Sequence, residues 1–233
     1  VGERGDFLRL LARTPTQLGQ TLEIEHDGTQ RTIKLPLIGA YQVANALVSC
    51  ALAISTGSPA EQVLDSANRL QPVRGRLERA AITAKGAPIY VDYAHTPDAI
   101  EAAIAALRPH VEGRLITVFG AGGDRDKGKR SEMGAAAAAG SEVVIVTDDN
   151  PRGEDPAAIR AGVLAGAPGA IEIGDRRAAI AEAIRQAGAG DIVLVAGKGH
   201  EQGQIIGSGD NMRVLPFDDV QVARECAAQE VQS

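Results

Sequence analysis

From Leu77 to about Ala227 the chain alternates short apolar runs with stretches of helical periodicity, and this rhythm restricts the fold more than any other feature. Strands are expected at 77–82, 89–93, 115–119, 143–147 and 192–196, with a weak one at 170–173. Helices are expected at 97–107, 129–139, 155–165 and 176–187, and from Asp218 to about Ala227. Such alternation predicts an α/β fold in which a mostly parallel sheet carries helices on both faces. The alanine-rich Gly134–Gly140 stretch reads as a helix with a closely packed face, and no internal repeat interrupts the pattern.

The first seventy residues follow another plan. Leu22–His26 and Arg31–Leu35 alternate apolar and polar residues on either side of Asp27-Gly28, which predicts a β-hairpin. Beyond Pro36 and Gly39, the residues Val43, Ala46, Leu47, Cys50 and Ile54 share one helical face up to Gly57, and a second short helix is expected from Pro59 to about Leu70. Gln71-Pro72-Val73-Arg74-Gly75 breaks both periodicities and reads as a domain boundary, separating 1–74 from 75–233.

At 233 residues with 44% hydrophobic content, the chain has material for one large or two modest soluble domains. A net charge of −6 argues against broad attraction to nucleic acid or anionic membrane, and 3% aromatic content without Trp argues against stacking platforms for single strands. No apolar run approaches the length of a membrane span. Cys50 and Cys226 lack metal-ligand spacing and read as structural thiols of a reducing, cytoplasmic setting. Val1 is not an initiator methionine, so the chain is expected to be a fragment.

Polar groups collect where the expected strands end, the edge at which open α/β sheets bind ligands. After Val143–Thr147 comes Asp148-Asp149-Asn150-Pro151-Arg152. Arg152 can fork onto a carboxylate, Asn150 can donate and accept, and Asp149 can take an ammonium, a set that suits a zwitterionic amino acid. After Ile192–Ala196 comes Gly197-Lys198-Gly199-His200-Glu201, where Glu201 can neutralise an ammonium and Gly197 allows close approach. Strand 89–93 leads into Asp92 and His95, followed by Thr96 as a helix cap with Pro97 behind it; a carboxylate here is placed for ribose hydroxyls. Gly75-Arg76 with Glu78 adds a cation near the boundary.

Gly123–Arg130 has the glycine and lysine spacing of a P-loop, but Arg130 stands where a magnesium-binding hydroxyl belongs. Gly120-Ala121-Gly122 likewise fails as a dinucleotide fingerprint, because Arg125 occupies the third glycine's place. What remains is a glycine-rich loop presenting Arg125, with Lys127 and Lys129 read as solvated. No residue is assigned a catalytic or metal-ligating role.

Taken in order, Gly75-Arg76-Leu77-Glu78, the Asp92–Asp98 loop, Phe119–Arg130, Asp149-Asn150-Pro151-Arg152 and Gly197–Glu201 strongly resemble the Mur ligases of peptidoglycan synthesis. The resemblance covers nearly the whole chain. It implies a Rossmann-like carboxyl-terminal domain at 75–233, preceded at 1–74 by the remnant of a central ATP-binding domain whose P-loop, Mg²⁺ ligands and modified lysine lie upstream. It further implies ATP-dependent amide-bond formation through an acyl phosphate, joining meso-diaminopimelate to UDP-N-acetylmuramoyl-L-alanyl-D-glutamate; the isolated fragment is expected to be inactive. Within the family the Asp-Asn-Pro-Arg form accompanies meso-diaminopimelate. The resemblance assigns Arg125, Asp149, Asn150, Arg152, Gly197 and Glu201 to that amino acid. It assigns Arg76, Asp92 and His95 to the nucleotide, together with Gln42 and Asn45 in a helix-opening motif where Gln42 replaces the usual Asn. Two other readings stand beside it: a stand-alone small-molecule binding module without ATPase activity, and a folylpolyglutamate synthetase-like ligase.

Overall fold

The computed structural model describes residues 1–230 and divides into two compact units, Val1–Pro72 and the chain from Val73 onward. In the first unit β1 (Arg9–Thr16), β2 (Gly19–His26) and β3 (Thr29–Leu35) form an antiparallel sheet in the order β1-β2-β3. The expected hairpin is β2–β3. His26 pairs with Thr29 across a two-residue turn in which Asp27 (φ 47°) and Gly28 (φ 71°) are both left-handed, the type I′ geometry that matches strand twist.

The sequence pattern did not mark β1, whose residues are mostly exposed and show no sustained alternation. Pro15 lies in this edge strand, a position that tolerates the missing N–H. Helices α1 (Ala40–Ser55) and α2 (Ala60–Ala67) follow the sheet. Val43, Ala46, Leu47 and Cys50 of α1 and Leu64 of α2 bury against Leu22, Ile24, Ile33 and Leu35.

The second unit begins with β4 (Glu78–Ile82) and β5 (Pro88–Asp92), then runs α3 (Pro97–Leu107), β6 (Leu115–Phe119), α4 (Lys129–Gly140) and β7 (Val143–Val146). It continues with α5 (Pro156–Leu164), β8 (Ile171–Glu172), α6 (Arg176–Gln186) and β9 (Ile192–Ala196). The last elements are a small hairpin of β10 (Gly203–Ile206) and β11 (Arg213–Pro216), and α7 (Asp219–Glu230). The sheet order is β4-β5-β9-β6-β7-β8, parallel throughout except for the β4–β5 pair.

Buried apolar runs in β5, β6, β7 and β9 are what a sheet covered on both faces requires. Helices α3, α4 and α5 pack in succession, while α6 pairs with α7. Ile180, Ile184, Val220 and Ala223 bury against Ile89, Val91, Ile116, Val118, Val193 and Val195. Thr96 caps α3 as expected, its hydroxyl accepting from the Ala99 amide at 3.3 Å. The β10–β11 hairpin was not legible in the sequence, because four-residue strands that face solvent need no alternation. Cys50 and Cys226 are free and buried.

Register brings the site together. Asp92 pairs with Ala196, Val195 with Val118, and Phe119 with Val146, so the loops that leave β5, β9, β6 and β7 rise side by side from one edge. The chain passes from β5 over β9's place to β6 and returns last to fill it, which makes this edge a topological switch point.

Candidate ligand site at the sheet edge

A cavity of about 450 Å³ opens at this edge. Arg125, Asp149, Asn150, Arg152, Gly197, Glu201 and His95 all line it, so seven of the eleven sequence-assigned residues share one cavity. Arg76 and Asp92 lie outside its lining. Gln42 and Asn45 are on α1 of the first unit, where Asn45 Nδ2 donates to Gln42 Oε1 at 3.3 Å.

The Asn150–Arg152 loop takes an uncommon path. Asn150 (φ 41°) and Arg152 (φ 51°) are both left-handed, a conformation Asn tolerates but which costs a long side chain about 1–3 kcal/mol. Three neighbours fix it. Gly123 N donates to Asn150 O at 3.0 Å, Arg152 N donates to Ile205 O at 3.1 Å, and Gly207 N donates to Arg152 O at 2.7 Å. Arg152 Nη1 donates to Gly123 O at 2.9 Å, which aims the guanidinium along the cavity with its other donors to spare. A Cβ on Gly123 would overlap the Pro151 carbonyl, so only glycine permits the two loops to touch.

Beneath the cavity the charges are paired. Lys198 is fully buried, and its ammonium donates to Asn150 Oδ1 at 2.9 Å and to Gly203 O at 2.8 Å while lying 3.0 Å from Asp149 Oδ1. Burial draws its pKa below the ordinary lysine range, and the Asp149 charge opposes that shift. Asn150 Nδ2 donates to Glu201 Oε2 at 2.9 Å. Gly197 (φ 117°) must lack a side chain, since a Cβ there would meet the Asp149 carboxylate.

Arg176 and Asp219 form a second buried pair, with Arg176 Nη2 also donating to Ala196 O at 2.8 Å under the start of the Gly197 loop. Arg130 belongs to this lower layer and not to a phosphate loop. It is buried and bound to Glu154 at 2.7 Å, and Glu154 also accepts from the Asp124 amide. Asp148, the first residue of its loop, is held by Arg160.

Facing the cavity are groups with hydrogen-bonding capacity left over. Arg125 is exposed and makes no hydrogen bond or ion pair among the described residues. Glu201 has one oxygen engaged by Asn150 and the other open. His95 Nδ1 donates to Tyr93 O at 2.7 Å, which leaves Nε2 for a ligand. To one side, the Arg76 guanidinium stacks 4.7 Å above the Tyr93 ring. Both Asp92 oxygens are occupied by backbone amides: Oδ2 accepts from Leu77 N at 2.8 Å and Oδ1 from Ala94 N at 2.9 Å. Burial raises the Asp92 carboxyl, with those two amides pulling the other way.

Sequence reasoning gave Lys198 no role and missed its structural work. Its position, a lone lysine two residues beyond the five apolar residues of β9, was the available signal. Arg176 and Asp219 lie 43 residues apart and nothing local ties them together.

An α/β domain with a polar cavity at the carboxyl switch point of a parallel sheet is a small-molecule binding domain. Residues 75–199 match the family model for the Mur ligase, glutamate ligase domain, and the chain belongs to that family. It is 60% identical over 225 residues to the UDP-N-acetylmuramoyl-L-alanyl-D-glutamate--2,6-diaminopimelate ligase of Zymomonas mobilis, covering 97% of this chain and 46% of that one. The protein of the same name from Caulobacter vibrioides is 55% identical over 220 residues, covering 94% and 44%. Among solved structures, one of a UDP-N-acetylmuramoyl-L-alanyl-D-glutamate--2,6-diaminopimelate ligase superposes with a TM-score of 0.79 at 36% identity, over 97% of this chain and 46% of that one. The chain thus spans a little under half the length of these relatives. Among the described residues no helix is long and apolar enough to cross a membrane, and no cluster of three or more His, Cys, Asp or Glu could hold a metal ion.

Proposed function

We propose that the chain supplies the amino-acid-binding portion of a cytoplasmic ATP-dependent ligase that joins meso-diaminopimelate to UDP-N-acetylmuramoyl-L-alanyl-D-glutamate in peptidoglycan synthesis. The observation that carries this reading is the convergence of two cations and one carboxylate with spare hydrogen-bonding capacity, Arg125, Arg152 and Glu201, in one cavity. The distal end of diaminopimelate bears a carboxylate and an ammonium on one carbon. Arg152 suits the first and Glu201 the second, with Gly197 and Asn150 shaping the wall between them. Arg125 suits the second carboxylate. Lysine offers nothing to Arg152, and glutamate, added by folylpolyglutamate-type ligases, offers no distal ammonium to Glu201.

In the second unit the nucleotide would draw on Arg76 and His95, which both pack against the Tyr93 ring, with Asp92 a further candidate; Gln42 and Asn45 are candidates within the first unit. When bound, ATP supplies the phosphoryl group that activates the glutamyl carboxylate as an acyl phosphate. The chain's own part is to hold the amino acid so that its reacting amine is presented and its far end fixed.

Isothermal titration with meso-diaminopimelate and with L-lysine tests the reading. Diaminopimelate is expected to bind in preference to lysine, and Arg152→Lys is expected to weaken it by about 10- to 100-fold while leaving lysine binding nearly unchanged. Equal affinity for both amino acids in the unaltered chain would overturn the assignment.

A further inference from the structure

Lys198, buried beneath the cavity, joins three segments: its own loop, the β7 loop and β10. Its ammonium donates to Asn150 Oδ1 from the β7 loop at 2.9 Å and to Gly203 O from β10 at 2.8 Å, and forms an ion pair with Asp149 Oδ1 at 3.0 Å. The side chain is fully buried and is not among the residues that line the cavity, so it does not reach a ligand there. Glu201 Oε2, at 4.0 Å, is beyond hydrogen-bond reach of it.

The consequence falls on Asn150. Its Oδ1 receives both the Lys198 ammonium and the Ile205 amide at 2.9 Å, and two pure donors admit only an oxygen at that position. The amide nitrogen must then face the opposite way, where it donates to Glu201 Oε2 at 2.9 Å. That bond orients Glu201 and leaves Oε1 open to the cavity. Asp149, buried against Lys198, already has a counter-ion.

Resting on the amino-acid ligand read above, we propose that Lys198 is a positioning residue for ammonium recognition. It locks the Asn150 amide so that Glu201 is aimed into the cavity, and it neutralises Asp149 so that Glu201, not Asp149, meets the ligand's distal ammonium. Lys198 itself touches no ligand. Its effect is on which ligand atoms the site can distinguish.

The test uses the 233-residue chain, Lys198→Met, and Lys198→Met/Asp149→Asn; the double variant avoids stranding a buried carboxylate. Each is titrated with meso-diaminopimelate and with 2-aminopimelate, which keeps both carboxylates but lacks the distal amine. The unaltered chain is expected to prefer diaminopimelate by at least about 10-fold, the worth of one charge-assisted contact. Both variants are expected to lose most of that preference while their affinity for 2-aminopimelate changes by less than about 3-fold, because the carboxylate contacts are untouched. A preference that survives in the variants, or an equal loss for both ligands, overturns the proposal. If the unaltered chain binds neither amino acid, the ligand reading fails by itself, and amide exchange decides the role of Lys198. Ile205, whose N–H rests on Asn150 Oδ1, is expected to exchange about 10-fold faster or more in both variants with Val195 of β9 unchanged. Unaltered protection at Ile205 overturns the proposal.

Discussion

Replacing Asp219 by Asn is expected to remove about 3–5 kcal/mol from the stability of the second unit. The Arg176 side chain is 2% exposed and that of Asp219 0%, and they meet through two parallel bonds, Nε to Oδ1 at 2.8 Å and Nη2 to Oδ2 at 2.7 Å. Burial alone would lower the guanidinium's pKa, but the Asp219 charge and hydrogen bonds outweigh it and the net direction is upward. With charge centres about 4 Å apart and an effective dielectric of about 20, the pair is worth about 4 kcal/mol, in line with the penalty for stranding one buried partner. Arg176→Met/Asp219→Leu removes both charges. Its cost reduces to the donors lost by the Ala196 carbonyl and, more weakly, the Asp148 carbonyl, about 1–3 kcal/mol, so the double variant is expected to be more stable than Asp219→Asn. Native-state amide exchange at Val193–Val195 reads the second unit separately from the first, which a single unfolding curve would not. A cost below about 1 kcal/mol for Asp219→Asn, or a double variant less stable than the single, would refute the reasoning that the pair is sealed from water.

The Glu154 carboxyl is lowered to about 2, first by the Arg130 hydrogen bond and then by the Asp124 amide and Lys127. Its folded pKa lies below the unfolded one, so the strap between the 120s and 150s loops is complete above about pH 4.5 and is lost as pH falls toward 2; a carbon-detected titration of Glu154 with its midpoint near 4.5 would contradict this. Gly123→Ala places a methyl against the Pro151 carbonyl, and with the loop displaced by about 1 Å the affinity for diaminopimelate is expected to drop about 10- to 100-fold while the circular dichroism stays native. Calorimetry that finds unchanged affinity would sink the claim that these two loops fit only through glycine.

What the sequence disclosed and what it hid follow from how far each interaction reaches along the chain. Helix α3 was legible to the residue because Thr96 and Pro97 mark its start and Ile100, Ala103, Ile104 and Leu107 its buried face. Strands β6 and β9 were legible as apolar runs, since both sheet faces are covered. β1 was not, because the residue types of this mostly exposed edge strand, Pro15 among them, carry no apolar–polar alternation. In the site, ligand-facing groups stood out as polar residues at strand ends, which is local information. The groups beneath them did not. Arg130 marked only a failed P-loop until folding set Glu154 against it, and Lys198 had no role until Asn150, 48 residues earlier, was brought to its ammonium.

The sorting of charges at this edge bears directly on the ligand's protonation state. Lys198 is matched by Asp149, Arg176 by Asp219, Arg130 by Glu154 and Arg160 by Asp148, so the lower layer is neutral in pairs. Of the remaining ionised groups lining the cavity, Asp126 and Lys129 offset each other, which leaves two guanidinium groups, Arg125 and Arg152, against the single carboxylate of Glu201. That layer carries one excess positive charge. Diaminopimelate has two carboxylates and two amines, and an amine that is to attack a carbonyl carbon must first give up its proton, which leaves the molecule with one negative charge. Lysine in the same state is neutral. On the ligand reading proposed above, this excess charge would complement the reactive form of diaminopimelate and favour loss of the proton from the amine whose lone pair is needed, whereas lysine's distal ammonium would face Arg152 with no carboxylate between them.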